Sequence, residues 1–366
     1  MMLQIQEIGI EETRGRDGSN SEMTHKFRVG VTRDFLKPDG SPGFGEIGLD
    51  LLDGDARVEW EYLAENCDEV PADVADRYDA LLVLAPKITA ATQDGCRRLM
   101  LISRFGVGYD NVDVAACTRN GVLLTITPDG VRRPVAVSAL AFLLALSHRM
   151  FAKDRLIREG RWAEKLDFMG IGLTGRTLGI IGLGNIGREV CTLARPFEMR
   201  HVAHDPYASV ESAAECGATL MELDELLRVS DFVVICCALT ESTRHLLDAR
   251  RLSLMKPTAY LINVARGPIV DQRALTRILQ EGQIAGAALD VFEQEPIDPD
   301  DPLLSLENVI LAPHAICWTD ELFLRNGQEA CRNILDVAHG RIPTHVVNRD
   351  VIERPEFREK LARFVD

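Results

Sequence analysis

A series of short apolar runs, bounded by Gly and Pro and separated by longer helical patterns, constrains this chain more than any other feature. The first group lies at residues 26–32, 81–84, 102–105 and 121–125, and the second at 178–181, 200–203, 232–235, 260–263, 287–290 and 309–311. Strands of this kind that alternate with helices predict parallel βα units, because each connection is long enough to cross back over the sheet. The six runs of the second group fit one doubly wound sheet. Asp110 or Asn111 is placed to cap the helix after the third run. Pro128-Asp129-Gly130 reads as the turn that ends the fourth, with a buried helix over 134–148 to follow.

With 366 residues the chain has room for two such domains. A continuous domain is expected over 130–318, and a second is assembled from 25–129 plus 319–350. Residues 1–24 read as a flexible N-terminal tail and 351–366 as a C-terminal tail. The expected fold class is α/β: two doubly wound, Rossmann-like domains with parallel sheets and a cleft between them. Such a cleft is a natural meeting place for a cofactor and a substrate.

Charge and cysteine usage exclude several classes. The net charge is -15, from 41 basic and 56 acidic residues, which argues against a nucleic-acid partner that would need a basic face. A single Arg in a small cleft can still attract an anionic substrate. The nine cysteines show no CxxC pair, so neither a disulfide framework nor a metal site is expected, and reduced thiols point to the cytoplasm. No secretory signal is visible. The longest apolar run, 135–146, is too short to span a bilayer and reads as a buried helix, so no membrane partner is expected.

Gly182-Leu183-Gly184-Asn185-Ile186-Gly187 matches GxGxxG, follows an apolar strand and opens a helix, which is the context a dinucleotide site requires. The first Gly makes a tight turn, the second lets backbone approach the pyrophosphate, and the third lets helix and strand pack closely. The helix N-terminus offers free N–H groups to phosphate. Asp205 lies at the end of the next strand, where a carboxylate accepts from both ribose hydroxyls and repels a 2′-phosphate. NAD is therefore the expected cofactor.

Ile262-Asn263-Val264-Ala265-Arg266-Gly267-Pro268-Ile269-Val270-Asp271 resembles the signature of the D-isomer-specific 2-hydroxyacid dehydrogenases. Asp290-Val291-Phe292-Glu293-Gln294-Glu295-Pro296, Ala312-Pro313-His314 and Phe105-Gly106-Val107-Gly108-Tyr109-Asp110-Asn111 resemble further motifs of that family, in family order. Residue types argue the same chemistry. Arg266 can anchor a carboxylate and polarise a keto oxygen. His314 can supply a proton, and Glu295 can hold the imidazole in one tautomer. The resemblance implies these catalytic roles for Arg266, Glu295 and His314. It also implies that Asn185 and Ile186 meet the pyrophosphate, that Val264, Ala265, Arg266 and His314 line the nicotinamide side, and that Asp290 meets the carboxamide. Val107 and Gly108 would bind the substrate carboxylate through their N–H groups. Thr243 is read as a cap for a helix over 244–247.

The resemblance implies an NAD(H)-dependent oxidoreductase of CH–OH donors, reducing a small anionic 2-keto acid such as glyoxylate or hydroxypyruvate to the 2-hydroxy acid. The helix at 135–146 is apolar over much of its surface and is expected to pack across a two-fold interface, and the resemblance likewise implies a homodimer. The chain departs from the family at Ile126, at Val135-Ala136-Val137-Ser138, where a Glu is missing, and at Cys236-Cys237-Ala238-Leu239-Thr240, where a Pro is missing. Trp318 is read either as a wall of the substrate pocket or as a core aromatic. Alternative readings are an NAD(H)-sensing, corepressor-like binding protein of the same fold, or a phosphoglycerate or phosphite dehydrogenase. Ala85-Pro86-Lys87 lacks the arginines expected of the phosphoglycerate enzymes.

Overall fold

Strand β1 (Phe27–Val31) pairs on one side with β2 (Val58–Tyr62) and on the other with β3 (Ala80–Val83), followed by β4 (Leu101–Arg104) and β5 (Leu123–Thr125). All these pairings are parallel. The second sheet comprises β6 (Thr177–Ile181), β7 (Arg200–His204), β8 (Ala218–Leu220), β9 (Phe232–Ile235), β10 (Tyr260–Asn263), β11 (Gly286–Leu289) and β12 (Val309–Leu311). It is also parallel throughout, in the order β12-β11-β10-β9-β6-β7-β8. This is the computed structural model of the chain, and it describes residues 26–364. The expected tail at 1–24 lies outside the described residues.

Inner strands such as β3 and β9 are buried along their whole length, as parallel strands covered on both faces must be. Edge strands are different, and two of them escape the sequence reading. In β2 apolar and acidic residues alternate, and Glu59 and Glu61 pair with Arg28 at the surface. The three-residue β8 has one buried position, so the second sheet has seven strands instead of six. The order reverses between β1 and β3 in one sheet and between β6 and β9 in the other, which opens a crevice at the carboxyl ends of those strands.

Local capping differs from expectation at three places. Pro128 opens a helix instead of closing a turn. The helix runs Pro128–Ser147, and the Glu329 carboxylate accepts from the Gly130 N–H (2.9 Å) in its first turn. It is long and apolar enough to cross a membrane by composition, yet 67% of its most apolar window is buried in protein. The helix Val114–Arg119 is capped by Asp113, whose Oδ1 accepts from the Ala116 N–H, and not by Asp110 or Asn111. Residues 244–246 are turn and bend and Leu247 bridges Val270, so no helix forms there; Thr243 instead closes its own loop: its hydroxyl accepts from the Thr240 N–H and donates to the Ala238 carbonyl, both at 2.7 Å.

The stretch expected as a C-terminal tail, 351–366, is packed structure as far as residue 364. Val351 and Phe357 are fully buried, and the Phe364 ring meets Phe27 edge-on at 4.9 Å. Lys360 is buried as well. Its ammonium donates to the carbonyls of Leu99 (2.7 Å) and Asn120 (2.9 Å), and burial pulls its pKa down to about 8. The helix Pro355–Leu361 is thereby fastened to the first sheet.

Two long helices join the halves. In Pro128–Ser147, Val131 belongs to the core of the first sheet, whereas Ala136 and Leu143 belong to that of the second. The passage from one domain to the other therefore falls inside this helix. The returning helix, Asp320–Ala338, packs Phe323 and Ile334 into the first core. At the junction the Thr127 hydroxyl accepts from the Gly106 N–H and donates to Asn326 Oδ1, which ties both helices to the β4 loop.

Candidate active site

The carboxyl ends of both sheets open on one cavity of ≈ 240 Å³. Val107, Ile126, Pro128 and Val131 line it from the first sheet, and Gly184, Asn185, Ile186 and Cys236 line it from the second. The glycine turn that follows β6 has a separate reason at each position. Gly182 has φ +93, and a Cβ there would come within 2.5 Å of the Cys237 N–H nitrogen. A Cβ on Gly187 would meet the Gly182 carbonyl at 2.1 Å, so only glycine allows the helix this close. A Cβ on Gly184 would have nothing within 4 Å: the space above the helix N-terminus is open. The Leu183 N–H donates to Asp205 Oδ2 (2.8 Å), so the acid at the end of β7 stands beside the turn. A tight turn, an open approach to helix N–H groups and an adjacent carboxylate fit a dinucleotide.

Arg266 is presented by the loop after β10. Buried Asn263 shapes this loop, accepting from the Ala265 N–H and donating to the Arg266 carbonyl, each at 3.0 Å. Val264 and Ala265 sit at the carboxyl end of the same strand. The guanidinium crosses to the other domain, where its Nε donates to Asp110 Oδ2 (2.9 Å) and its Nη1 to the Ala265 carbonyl (2.8 Å). Its Nη2 lies against Gly108, where an added Cβ would be 1.5 Å away. A side chain at 108 would therefore displace the guanidinium from its present place. Beneath this loop Arg104 donates to the Val83 and Phe105 carbonyls, and burial together with Arg266 lowers its pKa to about 10. Two cations at one loop suit an anionic ligand.

His314 follows β12 in the left-handed region (φ +54). Asp290, nearly fully buried, holds that bend: its Oδ1 accepts from the N–H groups of Ala315 (2.9 Å) and Ile316 (3.1 Å). Burial raises the Asp290 carboxyl pKa against the pull of these donors. The expectation for Asp290 was a cofactor contact, and the loop bonds are a function that sequence reasoning missed. The His314 Nδ1 meets Glu295 Oε2 at 2.7 Å, while Glu295 Oε1 accepts from the Phe292 N–H at 3.0 Å. Burial pushes the Glu295 carboxyl up. The hydrogen bonds from His314 and Phe292, with the charges of His314 and Arg266, outweigh it and hold Glu295 below its ordinary value of 4.5. Glu295 therefore feels the charges of both His314 and Arg266, although none of the three is among the residues lining the ≈ 240 Å³ cavity. With Nδ1 engaged by a carboxylate, Nε2 is the imidazole atom free to exchange a proton.

Asp110 and Asn263 also escaped the sequence reading as site residues. Asp110 lies within a quoted motif, but its partner is 156 positions away, which no local pattern reveals. Trp318 resolves as the outer member of an aromatic group: its ring meets Phe44 at 5.1 Å and Phe323 at 5.5 Å, both edge-on, and it stays half exposed.

Residues 140–315 match the family model for the D-isomer specific 2-hydroxyacid dehydrogenase NAD-binding domain. The chain is 38% identical to a glyoxylate reductase of Korarchaeum cryptofilum over 331 residues, 90% of this chain and 98% of that protein. It is 40% identical to a glyoxylate reductase of Thermococcus onnurineus, over 85% of this chain and 96% of that protein. Among solved structures, D-lactate dehydrogenase from Aquifex aeolicus complexed with NAD and lactic acid is similar with a TM-score of 0.76 at 28% identity, covering 87% of this chain and 99% of that one.

A carboxyl whose pKa is lowered by folding stabilises the folded chain above the unfolded value, and that contribution is lost as pH falls through the folded value. Glu295 should therefore titrate below 4.5 in carbon-detected NMR. In His314→Ala its titration should move upward, because burial is then less opposed. An unmoved titration would contradict the pairing.

Proposed function

Since the chain belongs to the D-isomer-specific 2-hydroxyacid dehydrogenases, we propose that it reduces a small 2-keto acid such as glyoxylate or hydroxypyruvate to the 2-hydroxy acid with NADH. It is an NAD-dependent oxidoreductase acting on CH–OH donors, and its second sheet carries the NAD-binding domain. The observation that carries the finer reading is the Glu295–His314 hydrogen bond of 2.7 Å within the field of Arg266.

In this reading the substrate carboxylate is anchored between Arg266 and the N–H groups of Val107 and Gly108. The guanidinium also draws charge from the keto oxygen as it becomes an alkoxide. NADH, when bound, supplies the hydride to C2. His314 Nε2 delivers the proton to the oxygen, and in the oxidative direction it accepts that proton. Glu295 keeps the ring in the Nδ1–H tautomer and stabilises the imidazolium. Gly182, Gly184, Asn185, Ile186 and Gly187 would cradle the pyrophosphate at the helix N-terminus, and Asp205 would accept from the ribose hydroxyls, which favours NAD over its 2′-phosphate. Val264 and Ala265 would line the nicotinamide side, and Asp290 would meet its carboxamide.

A second copy of the chain completes the proposal. The apolar helix Pro128–Ser147, which the sequence suggested for the two-fold face, is mostly buried within the chain, with Val137 among its exposed positions. Large apolar side chains are exposed just after it instead: Met150, Phe151, Ile157, Trp162, Leu166 and Met169. A patch of this composition on a water-soluble surface favours a covering partner.

Purified protein should oxidise NADH with a panel of short 2-keto acids. His314→Ala should lower kcat by roughly 10²–10⁴-fold while leaving NADH affinity within about twofold. Tight NADH binding with no turnover on any keto acid would support an NAD(H)-sensing protein instead. Sedimentation should give the mass of two subunits, reduced to one by Phe151→Glu with Leu166→Glu. A wild-type mass of one subunit would overturn the dimer.

A further inference from the structure

A second imidazole–carboxylate pair stands beside the first. His245 Nε2 lies 2.5 Å from Glu293 Oε1, and Glu293 is two residues before Glu295. His245 is one of the few non-glycine residues at positive φ, +49, as is His314. Its position joins three loops. It ends the loop after β9, which lines the cavity at Cys236 and closes on Gly182 through Cys237. Its N–H donates to the Pro268 carbonyl (2.8 Å), and Leu247 and Asp271 continue the contact along the segment that follows Arg266. Its ring reaches the 292–295 loop, which is also held by the Glu293 N–H to Gln272 Oε1 (3.0 Å), by Glu295 Oε2 to His314 Nδ1 (2.7 Å) and internally by the Phe292 N–H to Glu295 Oε1. Gly267 presses on this same loop: a Cβ there would lie 1.9 Å from the Phe292 carbonyl carbon.

The pair is partly exposed, at 48% for the His245 side chain and 31% for Glu293, so it adds little to global stability. What it does supply is a fixed distance between the cofactor-side loop and the segment that aims Glu295. We propose that His245 is a positioning residue. Through Glu293 it sets the 292–295 loop so that Glu295 meets His314 Nδ1 in line, while the cofactor-side loop stays in register with Arg266. This rests on the acid–base reading of Glu295 and His314.

Glu293→Ala and His245→Ala should each lower kcat by about tenfold with NADH affinity changed less than about twofold. The double variant should fall no further than either single one, because both remove the same link. His245→Gln should recover most of kcat, since its amide nitrogen can donate to Glu293 from a similar place. A purely structural disturbance of the β9 loop would weaken NADH binding as well, and the glutamine would not rescue it. Wild-type kcat in Glu293→Ala, multiplying effects in the double variant, or weakened NADH binding in place of lowered kcat would each overturn the proposal. The two readings fail separately. Turnover that survives His314→Ala sinks the acid–base assignment. Turnover that needs His314 but ignores His245 and Glu293 sinks only this inference.

Discussion

Arg266 leaves one domain and comes to rest on the other, and the chemistry of the cleft depends on that crossing. The guanidinium takes this place beside Gly108, where a side chain would begin 1.5 Å from Nη2 and push it aside. The crossing also decides how the cation is used. Nε is engaged by Asp110 and one Nη1 proton by the Ala265 carbonyl, so an incoming carboxylate meets the Nη2 end. That end faces the Val107–Gly108 backbone. A planar fork described from residue type alone would have been free on every edge; here the protein spends part of it to aim the rest.

Around that anchor, the acid–base half is built from loops held by buried polar groups. Asn263 fixes the Arg266 turn and Asp290 fixes the His314 turn, both at the carboxyl ends of neighbouring strands β10 and β11. Each is buried and hydrogen-bonded to its loop, which offsets part of the cost of burying a polar group and gives the loop order; at Asp290 burial still wins and raises the carboxyl pKa. The left-handed conformation of His314 is sustained by the two N–H bonds to Asp290 immediately beyond it. Positions are thus set by rigid strand ends, while the reactive side chains remain open to the cleft.

Much of this was legible in the sequence, and the misses have physical causes. The central strands read clearly because burial on both faces demands unbroken apolar runs, as in Phe232–Ile235. The glycine turn read clearly because Gly182 and Gly187 answer local steric demands and Gly184 leaves the helix N-terminus open. Edge strands β2 and β8 did not, since one half of an edge strand is free to be polar. The start of the helix at Pro128 was hidden because Pro-Asp-Gly serves a turn or a helix N-terminus equally well, and a distant residue, Glu329, decides between them. The packed C-terminus was hidden for the same reason: Lys360 finds its acceptors at Leu99 and Asn120, far back in the chain. At the site, motif residues were visible but their partners were not. Asp110 meeting Arg266 is a tertiary fact.

The central claim is that Arg266, the Glu295–His314 pair and a bound nicotinamide converge on one carbonyl carbon. A crystal structure with NADH and oxamate, an unreactive 2-keto acid analogue, tests it most directly. The account places the oxamate carboxylate between Arg266 and the N–H groups of Val107 and Gly108, its amide oxygen (standing for the keto oxygen) within hydrogen-bonding reach of His314 Nε2, and the ribose on Asp205. Oxamate bound away from Arg266, or a dinucleotide lying outside the glycine turn, would contradict it.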